Sequence, residues 1–207
     1  MKRSLAFLAL PLVYAASLVA VAVAQPAAKA SLRGPVRLAV RPGDSTVAFT
    51  VKKWGVMREQ GRFRDFSGRI DYDPARPAAS RVTLTVEAES VDTGVTGRDR
   101  ALRSDDFFDV SRHPRWTFVS RTVRPTGPET ADVTGDITIR GTTRSITVPV
   151  RFLGVNESGS EGILAGFETS FTLDRTDFGV NGTRWSGGRA LLSREVQIHL
   201  FLGASGK

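Results

Sequence analysis

Apolar and polar residues alternate along most of the chain after Pro35, a period of two that is typical of β-strands with one buried face. Turn-forming residues separate the alternating runs, for example at Asp73-Pro74 and at Asn181-Gly182. The clearest apolar sets are Val47, Phe49 and Val51; Val82, Leu84, Val86 and Ala88; Val133, Gly135, Ile137 and Ile139; Ile146, Val148, Val150 and Phe152; Phe167, Thr169, Phe171 and Leu173; and Val196, Ile198, Leu200 and Leu202. The pattern predicts an all-β protein of roughly eight or nine strands, arranged as an antiparallel barrel or sandwich.

The alternation slips by one residue between Phe63 and Phe66. One extra residue in a strand shifts the apolar side chains to the other face, so we predict a β-bulge near Asp65. Such a bulge bends its strand and favours closure of the sheet.

Residues 98–110 do not alternate and instead crowd charged and aromatic side chains together. We predict one short helical insert here, near residues 97–104, with Thr96 as its N-terminal cap. Phe107 and Phe108 follow it directly, so the insert is expected to place two bulky apolar groups near the mouth or the inside of the barrel.

The first residues have the pattern of a secretory signal. Lys2 and Arg3 precede an apolar stretch, and small residues end it at Ala24. An uncleaved membrane anchor is the alternative, because the stretch approaches the length of a membrane span. We predict a signal peptide at residues 1–24, a flexible lead-in at residues 25–36, one barrel domain at residues 37–203, and a periplasmic or secreted location.

The composition of the chain excludes some kinds of chemistry and some classes of binding partner. The chain has no cysteine, which excludes disulfides and thiol chemistry. Its net charge of +8 comes mostly from Arg residues that are scattered over outward strand positions. We therefore expect an ordinary solvated surface or contact with anionic lipid headgroups, and no binding of nucleic acid.

Catalytic and metal-binding residues are scarce. His113 and His199 are the only histidines, and no Gly-x-Ser-x-Gly motif surrounds a serine. The acidic run from Asp105 to Asp109 is similar to the aspartate-rich motif of prenyl-chain synthases, but the following Pro114 does not suit the long helix that such a motif needs. We predict no catalytic residue and no metal site. We expect the carboxylates of Asp99, Asp105, Asp106 and Asp109 to cap the helix and pair with its arginines, which are Arg98, Arg100 and Arg103.

The interior of the barrel decides the function. A barrel of about eight strands is either filled by its own side chains or holds one small ligand. Twelve Phe and three Trp, interrupted by small inward residues such as Gly68 and Gly135, are compatible with an elongated apolar cavity and with a tapering solid core. The candidate ligand-binding residues are Phe49, Val51, Phe63, Leu84, Val86, Phe107, Phe108, Trp116, Phe118, Ile137, Val148 and Phe171; Trp54 and Trp185 lie in loops that could line a mouth.

A series of motifs carries a resemblance to a known family. In chain order the motifs are Asp44-Ser45-Thr46-Val47-Ala48-Phe49, Gly61-Arg62-Phe63, Phe66-Ser67-Gly68, Asp73-Pro74, Arg98-Asp99, Leu102-Arg103-Ser104, Asp106-Phe107-Phe108-Asp109-Val110, His113-Pro114, Gly135-Asp136-Ile137-Thr138-Ile139-Arg140-Gly141-Thr142-Thr143, Ala165-Gly166-Phe167 and Asp174-Arg175-Thr176-Asp177-Phe178-Gly179. Their joint order resembles the YceI-like family of periplasmic proteins from about Leu38 to Leu202.

The resemblance implies an eight-stranded antiparallel lipocalin-like barrel that holds a polyisoprenoid, such as a quinone-type lipid, in an elongated cavity. The family is not known as enzymatic. Many relatives carry His where this chain has Lys53 and Ala101, and Gly-Asp where it has Ser193-Arg194, so headgroup contacts made by those imidazoles are absent here.

These observations favour a non-enzymatic exported barrel that sequesters or carries an isoprenoid lipid of the polyisoprenoid or quinone type, with no cofactor besides that bound lipid. The alternative is a filled barrel that acts as a stress-related module and binds a protein or a membrane surface. If the barrel associates with itself, we expect a homodimer.

Overall fold

Eleven β-strands and one α-helix make up the part of the chain that the computed structural model describes, which is residues 34–158, 162–183 and 191–206. The elements are β1 (Val36–Val40), β2 (Thr46–Lys53), β3 (Met57–Phe63), β4 (Phe66–Tyr72), β5 (Arg81–Glu87), β6 (Val91–Asp92), α1 (Thr96–Arg103), β7 (Arg115–Pro125), β8 (Thr130–Ile139), β9 (Thr142–Ser158), β10 (Gly162–Asp174) and β11 (Leu192–Gly206). Short 3₁₀ turns lie at Pro42–Asp44, Pro77–Ala79, Ala88–Ser90 and Arg175–Phe178.

The strands close into a barrel with eight positions, as predicted. Three positions are each formed by two consecutive strands, namely β1 with β2, β3 with β4, and β5 with β6; β7 to β11 supply the other five. Each position pairs antiparallel with the positions before and after it around the barrel. The last strand closes the barrel against both halves of the first position, with Ser205 opposite Ala39 in β1 and Ile198 opposite Phe49 in β2.

The predicted slip near Asp65 is present as a break between β3 and β4. Phe63 and Phe66 are both buried although they are three residues apart, which alternation in one continuous strand does not allow. The backbone at the break pairs with the next position, where Arg64 N–H donates to the carbonyl of Ser90 and Asp65 accepts from Glu87 N–H. The break turns the second half of the position so that both halves face the core.

The barrel has two distinct ends. At one end lie the β2–β3 loop at residues 54–56, the insert at residues 93–114 and the connection that begins at Arg175; we call this the insert end. At the other end lie the loop at residues 73–80, the β7–β8 turn at residues 126–129 and the last residues of β11; we call this the terminal end.

The helical insert forms where the sequence predicts it, but its N-terminal cap is different. Val95 is the capping residue and makes no side-chain hydrogen bond, while Thr96 is the first helical residue. The prediction of a Thr96 cap is therefore wrong. The segment before the helix is held instead by the buried carboxylate of Asp99, which accepts hydrogen bonds from Thr93 N–H at 2.9 Å and from Thr93 Oγ1 at 2.5 Å.

The expected pairing between the acidic run and the arginines of the helix is also wrong. Arg98 forms an ion pair with Glu59 on β3, and Arg103 donates to the carbonyls of Glu89 and Val91. The guanidinium groups thus fasten the helix to the barrel wall.

Several predictions concern residues outside the described ranges. The predicted signal peptide, most of the lead-in and Trp185 lie there. The last residue of the predicted lead-in, Val36, is the first residue of β1 and pairs with Tyr72. Among the described helices, none has the length and apolar character needed to cross a bilayer.

Candidate ligand cavity

The interior of the barrel contains an apolar cavity of about 210 Å³. Its lining extends from Phe49, Phe63 and Trp116 near the insert end to Tyr72 and Phe152 near the terminal end. The cavity reaches the edge of the barrel at the terminal end, where residues of the two loops there contribute to its lining. Because a continuous apolar space remains between the side chains, the interior is not a solid core.

Nine of the twelve candidate residues line this cavity. They come from seven of the eight barrel positions, and they all have the inward parity that the alternation assigns to them. These residues are Phe49, Phe63, Leu84, Val86, Trp116, Phe118, Ile137, Val148 and Phe171. Contact between these side chains and a ligand stays a prediction.

The other three candidates do not line the cavity among the described residues. Phe108 is only 6% exposed, and its ring packs against Trp116 at 4.6 Å and against Phe63 at 6.0 Å between ring centroids. Phe107 is buried beside Gly182, whose missing side chain leaves room for the ring. Val51 lies farther along β2, opposite Glu59. The insert folds across the end of the barrel, so its phenylalanines close that end and do not reach into the cavity.

An aromatic cluster at the terminal end was missing from the candidates. Tyr72, Phe152 and Phe167 pack with centroid distances of 5.1, 5.4 and 5.9 Å, and all three line the cavity. Burial raises the pKa of the Tyr72 phenol. The alternation already places these residues on inward faces, so the signal that could have identified them was present.

Two polar atoms in the cavity lining have no hydrogen-bond partner. They are Nε1 of Trp116 and Oγ1 of Thr169, and each is shielded from solvent. A buried donor or acceptor without a partner costs about 1–3 kcal/mol. The two atoms offer one N–H donor near the insert end and one hydroxyl near the terminal end to a molecule in the cavity.

A polar cluster lies beside the cavity at the insert end. Glu59 forms an ion pair with Arg98, and its Oε1 lies 3.7 Å from Nζ of Lys53. Arg98 also donates hydrogen bonds to the side-chain hydroxyl and to the main-chain carbonyl of Thr93. An ammonium, a carboxylate and a guanidinium therefore lie together at this end of the barrel.

The acidic run has a structural role in the described part of the chain. The carboxylate of Asp109 is buried and lies 2.6 Å from the guanidinium of Arg112, which holds its pKa below the usual range. Asp106 accepts from Thr183 Oγ1. No group of three His, Cys, Asp or Glu side chains with the geometry of a metal site occurs among the residues that are described.

The comparison with protein families agrees with this geometry. The model of the YceI-like domain matches residues 38–204, which is most of the chain. The chain belongs to the YceI-like family. It is 40% identical over 134 residues to the UPF0312 protein of Ectopseudomonas mendocina and equally similar to that of Pseudomonas aeruginosa; each alignment covers 65% of this chain and 70% of the relative.

Several proteins of known structure share this fold. BcnA of Burkholderia cenocepacia superposes with a TM-score of 0.71 at 30% identity, covering 80% of this chain and 99% of BcnA. The Campylobacter jejuni YceI protein has a TM-score of 0.66 at 28% identity, covering 73% of this chain and 87% of that protein. A polyisoprenoid-binding domain of Saccharophagus degradans has a TM-score of 0.68, covering 83% and 99%, but at 16% identity this likeness shows the fold alone.

The YceI-like motif that follows β10 connects the last two strands at the insert end. Arg175 is 7% exposed, and its guanidinium donates to four main-chain carbonyls, those of Val180, Asn181, Leu192 and Ser193. Asp174 caps the 3₁₀ turn by accepting from Thr176 N–H, and Gly179 ends the turn with φ +70°. The motif resembles a family signature in the sequence, and its order of Asp, Arg and Gly is the signal that could have revealed the turn.

Proposed function

We propose that this protein binds an isoprenoid lipid, of the polyisoprenoid or quinone type, inside the barrel and sequesters or carries it without covalent chemistry. The continuous apolar cavity carries this proposal, because a hydrocarbon chain is the ligand that such a lining suits. The fold shared with the Saccharophagus degradans domain is consistent with it. The same cavity argues against the alternative of a filled barrel.

Burial of hydrocarbon supplies the binding energy in this proposal. At about 0.8 kcal/mol for each buried CH₂ group, one five-carbon isoprene unit contributes roughly 3–4 kcal/mol before the cost of association. The lining residues at both ends are aromatic, so a tail that runs along the barrel stays in contact with apolar surface. The headgroup needs to contribute little to the affinity.

The chain offers two polar partners for a headgroup. Nε1 of Trp116 can donate to a carbonyl oxygen at one end of the cavity, and Oγ1 of Thr169 can donate or accept at the other. A quinone carbonyl or a prenyl alcohol would satisfy either atom.

The proposal includes export of the barrel from the cytoplasm. Removal of residues 1–24 would release the barrel outside the cytoplasm, where it could pass an apolar lipid between membranes; an uncleaved anchor would keep it at one membrane. Residues 36–206 contain every strand of the barrel, so either form would carry the same cavity.

The test is to identify what the protein captures. Protein purified from its own host is extracted with organic solvent, and the extract is analysed by mass spectrometry; we expect one isoprenoid per barrel. Ile137→Trp places an indole into the cavity and should abolish retention, whereas the control Val119→Trp adds the same group to an exposed position. Empty extracts, together with no thermal stabilisation by added quinones or polyprenols, would refute the proposal.

A further inference from the structure

The insert end exposes an apolar surface that the cavity does not use. Trp54, Val56 and Met57 at the turn between β2 and β3 are 61%, 84% and 49% exposed, and Val95 before α1 is 50% exposed. Trp54, Val56 and Met57 form what we call the hairpin tip. Among the described residues the other large exposed hydrophobic side chains, Val119 and Phe201, are single positions on different strands of the wall.

The backbone presents the tryptophan outward at a conformational cost. Trp54 has φ +52° and Gly55 has φ +73°, so both are left-handed, a region that a residue with a bulky side chain rarely adopts. Trp54 N–H donates to the carbonyl of Leu191 at 2.8 Å, and Nζ of Lys53 lies 4.5 Å above the ring. These contacts hold the strained turn in place with its indole in solvent. Strain of this kind persists where a function requires it.

Positive charges lie near the tip. Lys52 and Arg58 are directly opposite each other on β2 and β3, one to two residues from the exposed side chains, and Arg100 lies on the exposed side of α1. Within the described ranges none of these three side chains has an acidic partner. The nearby carboxylate of Glu59 is already engaged by Arg98 and Lys53. Two cations without an acidic partner therefore lie beside the tip, and a third lies on the helix at the same end of the barrel.

We infer that the hairpin tip docks the barrel on an anionic bilayer, with Trp54 and Val56 in the headgroup region and Lys52, Arg58 and Arg100 against lipid phosphates. Tryptophan is enriched at this depth of membranes because its ring is apolar and its N–H is polar. Cations near the surface are attracted by anionic lipids. This inference goes beyond the proposed lipid carriage and does not depend on which ligand fills the cavity.

Vesicle sedimentation tests the docking. The chain from Gln25 to Lys207 is used, because it retains every strand of the barrel and lacks the apolar stretch that would bind vesicles by itself. Vesicles contain phosphatidylcholine alone or phosphatidylcholine mixed with phosphatidylglycerol. We expect partitioning onto the mixed vesicles that declines at high salt, because salt screens the attraction between the cations and the lipids.

Matched variants assign the binding to the tip. Trp54→Asn with Val56→Ser removes the apolar contacts while asparagine tolerates the left-handed backbone, and we expect partitioning to fall by about tenfold or more. The control pair Val119→Ser with Phe201→Ser removes two exposed apolar groups from the wall and should partition as the parent does. Arg58→Gln should weaken partitioning roughly fivefold, whereas Arg81→Gln at the terminal end should not change it.

Two results would overturn the inference. The first is a tip variant that partitions onto the mixed vesicles as the parent does. The second is a parent protein that does not bind the mixed vesicles, including the case in which the tip binds a protein partner. The extraction experiment separates this outcome from the proposed function. A barrel that retains an isoprenoid but ignores vesicles contradicts docking only, and a barrel that binds vesicles but yields empty extracts contradicts carriage only.

Discussion

The ring of Phe49 lies against Gly61, its register partner on the neighbouring strand. A Cβ atom on Gly61 would be 2.7 Å from Cε1 of Phe49 and closer still to Cζ. The ring of Phe118 likewise lies against Gly135, which is opposite Ser120 in the register, and a Cβ there would be 2.7 Å from Cζ of the ring. Glycine at these two inward positions lets an aromatic ring lie along the wall, and the space at the centre of the barrel stays open.

Gly61→Ala should reduce the capacity of the cavity. The added methyl group would meet the outer edge of the Phe49 ring and, at 2.9 Å, Cγ2 of Thr93. We expect the ring to move into the lumen and Thr93 to shift slightly, at a modest cost in stability. We expect less lipid in the organic extract and a melting temperature within a few degrees of the parent. Full retention of the lipid would show that the ring finds space elsewhere.

Gly135→Ala should behave differently although the two glycines share a role. Here the methyl group would be 2.5 Å from the carbonyl oxygen of Val119, which is backbone and cannot rotate away. We expect a loss of about 1–3 kcal/mol in the free energy of unfolding, measured by urea denaturation. A stability equal to that of Gly61→Ala would contradict this distinction.

Phe108→Ala should affect stability and not the capacity for lipid. The ring is buried against Phe63 and Trp116 outside the cavity lining. Its removal leaves a void, which we expect to lower the free energy of unfolding by about 3–5 kcal/mol. Urea denaturation measures the loss, and extraction of the folded fraction measures the lipid, which we expect at one molecule per folded barrel. Preserved stability with an empty barrel would instead restore the sequence-based view that Phe108 lines the cavity.

Arg175→Met should destabilise the connection between β10 and β11. It removes the donor for four main-chain carbonyls, and buried acceptors without partners make the expected cost at least about 3 kcal/mol. Arg194→Met is the matched control, because that arginine is 70% exposed and pairs with Asp174 at the surface, where a pair contributes about 1 kcal/mol or less. Equal effects of the two changes on the urea midpoint would contradict this role.

Asp92 should make stability depend on acidic pH. Hydrogen bonds from Arg64, from Gly94 N–H and from Arg62 lower the pKa of Asp92 from 3.8 to about 2. A carboxylate whose pKa is lowered on folding stabilises the native state above its unfolded pKa, and the contribution disappears as the pH falls from about 4 to about 2. Melting temperatures of the parent and of Asp92→Asn should therefore differ at neutral pH and converge over that interval. A constant difference down to pH values of about 2 would contradict the assignment.

Period-two alternation predicted antiparallel strands in a barrel or a sandwich, because each strand has one buried face and one face in solvent, and the resemblance to the YceI-like family selected the barrel. The alternation also placed Leu84, Phe118 and Ile137 correctly on the cavity wall, since parity alone decides which side chains point inward. The same rule fails for Phe107 and Phe108, which lie outside any strand and are positioned by tertiary contacts of the insert. Local sequence gave no indication that Arg98 reaches Glu59, a partner 39 residues away.

The two-part pairing of β11 has a consequence for the order of events in the cell. The pairing of β11 with β1 and β2 closes the barrel, so closure is possible only after residues 192–206 have been synthesised. Until then the inner face of the sheet is exposed to solvent. We therefore expect the cavity to be complete only after the whole strand is synthesised, and a chain that ends before Phe201 would lack the residues that pair with β1 and leave that part of the barrel open.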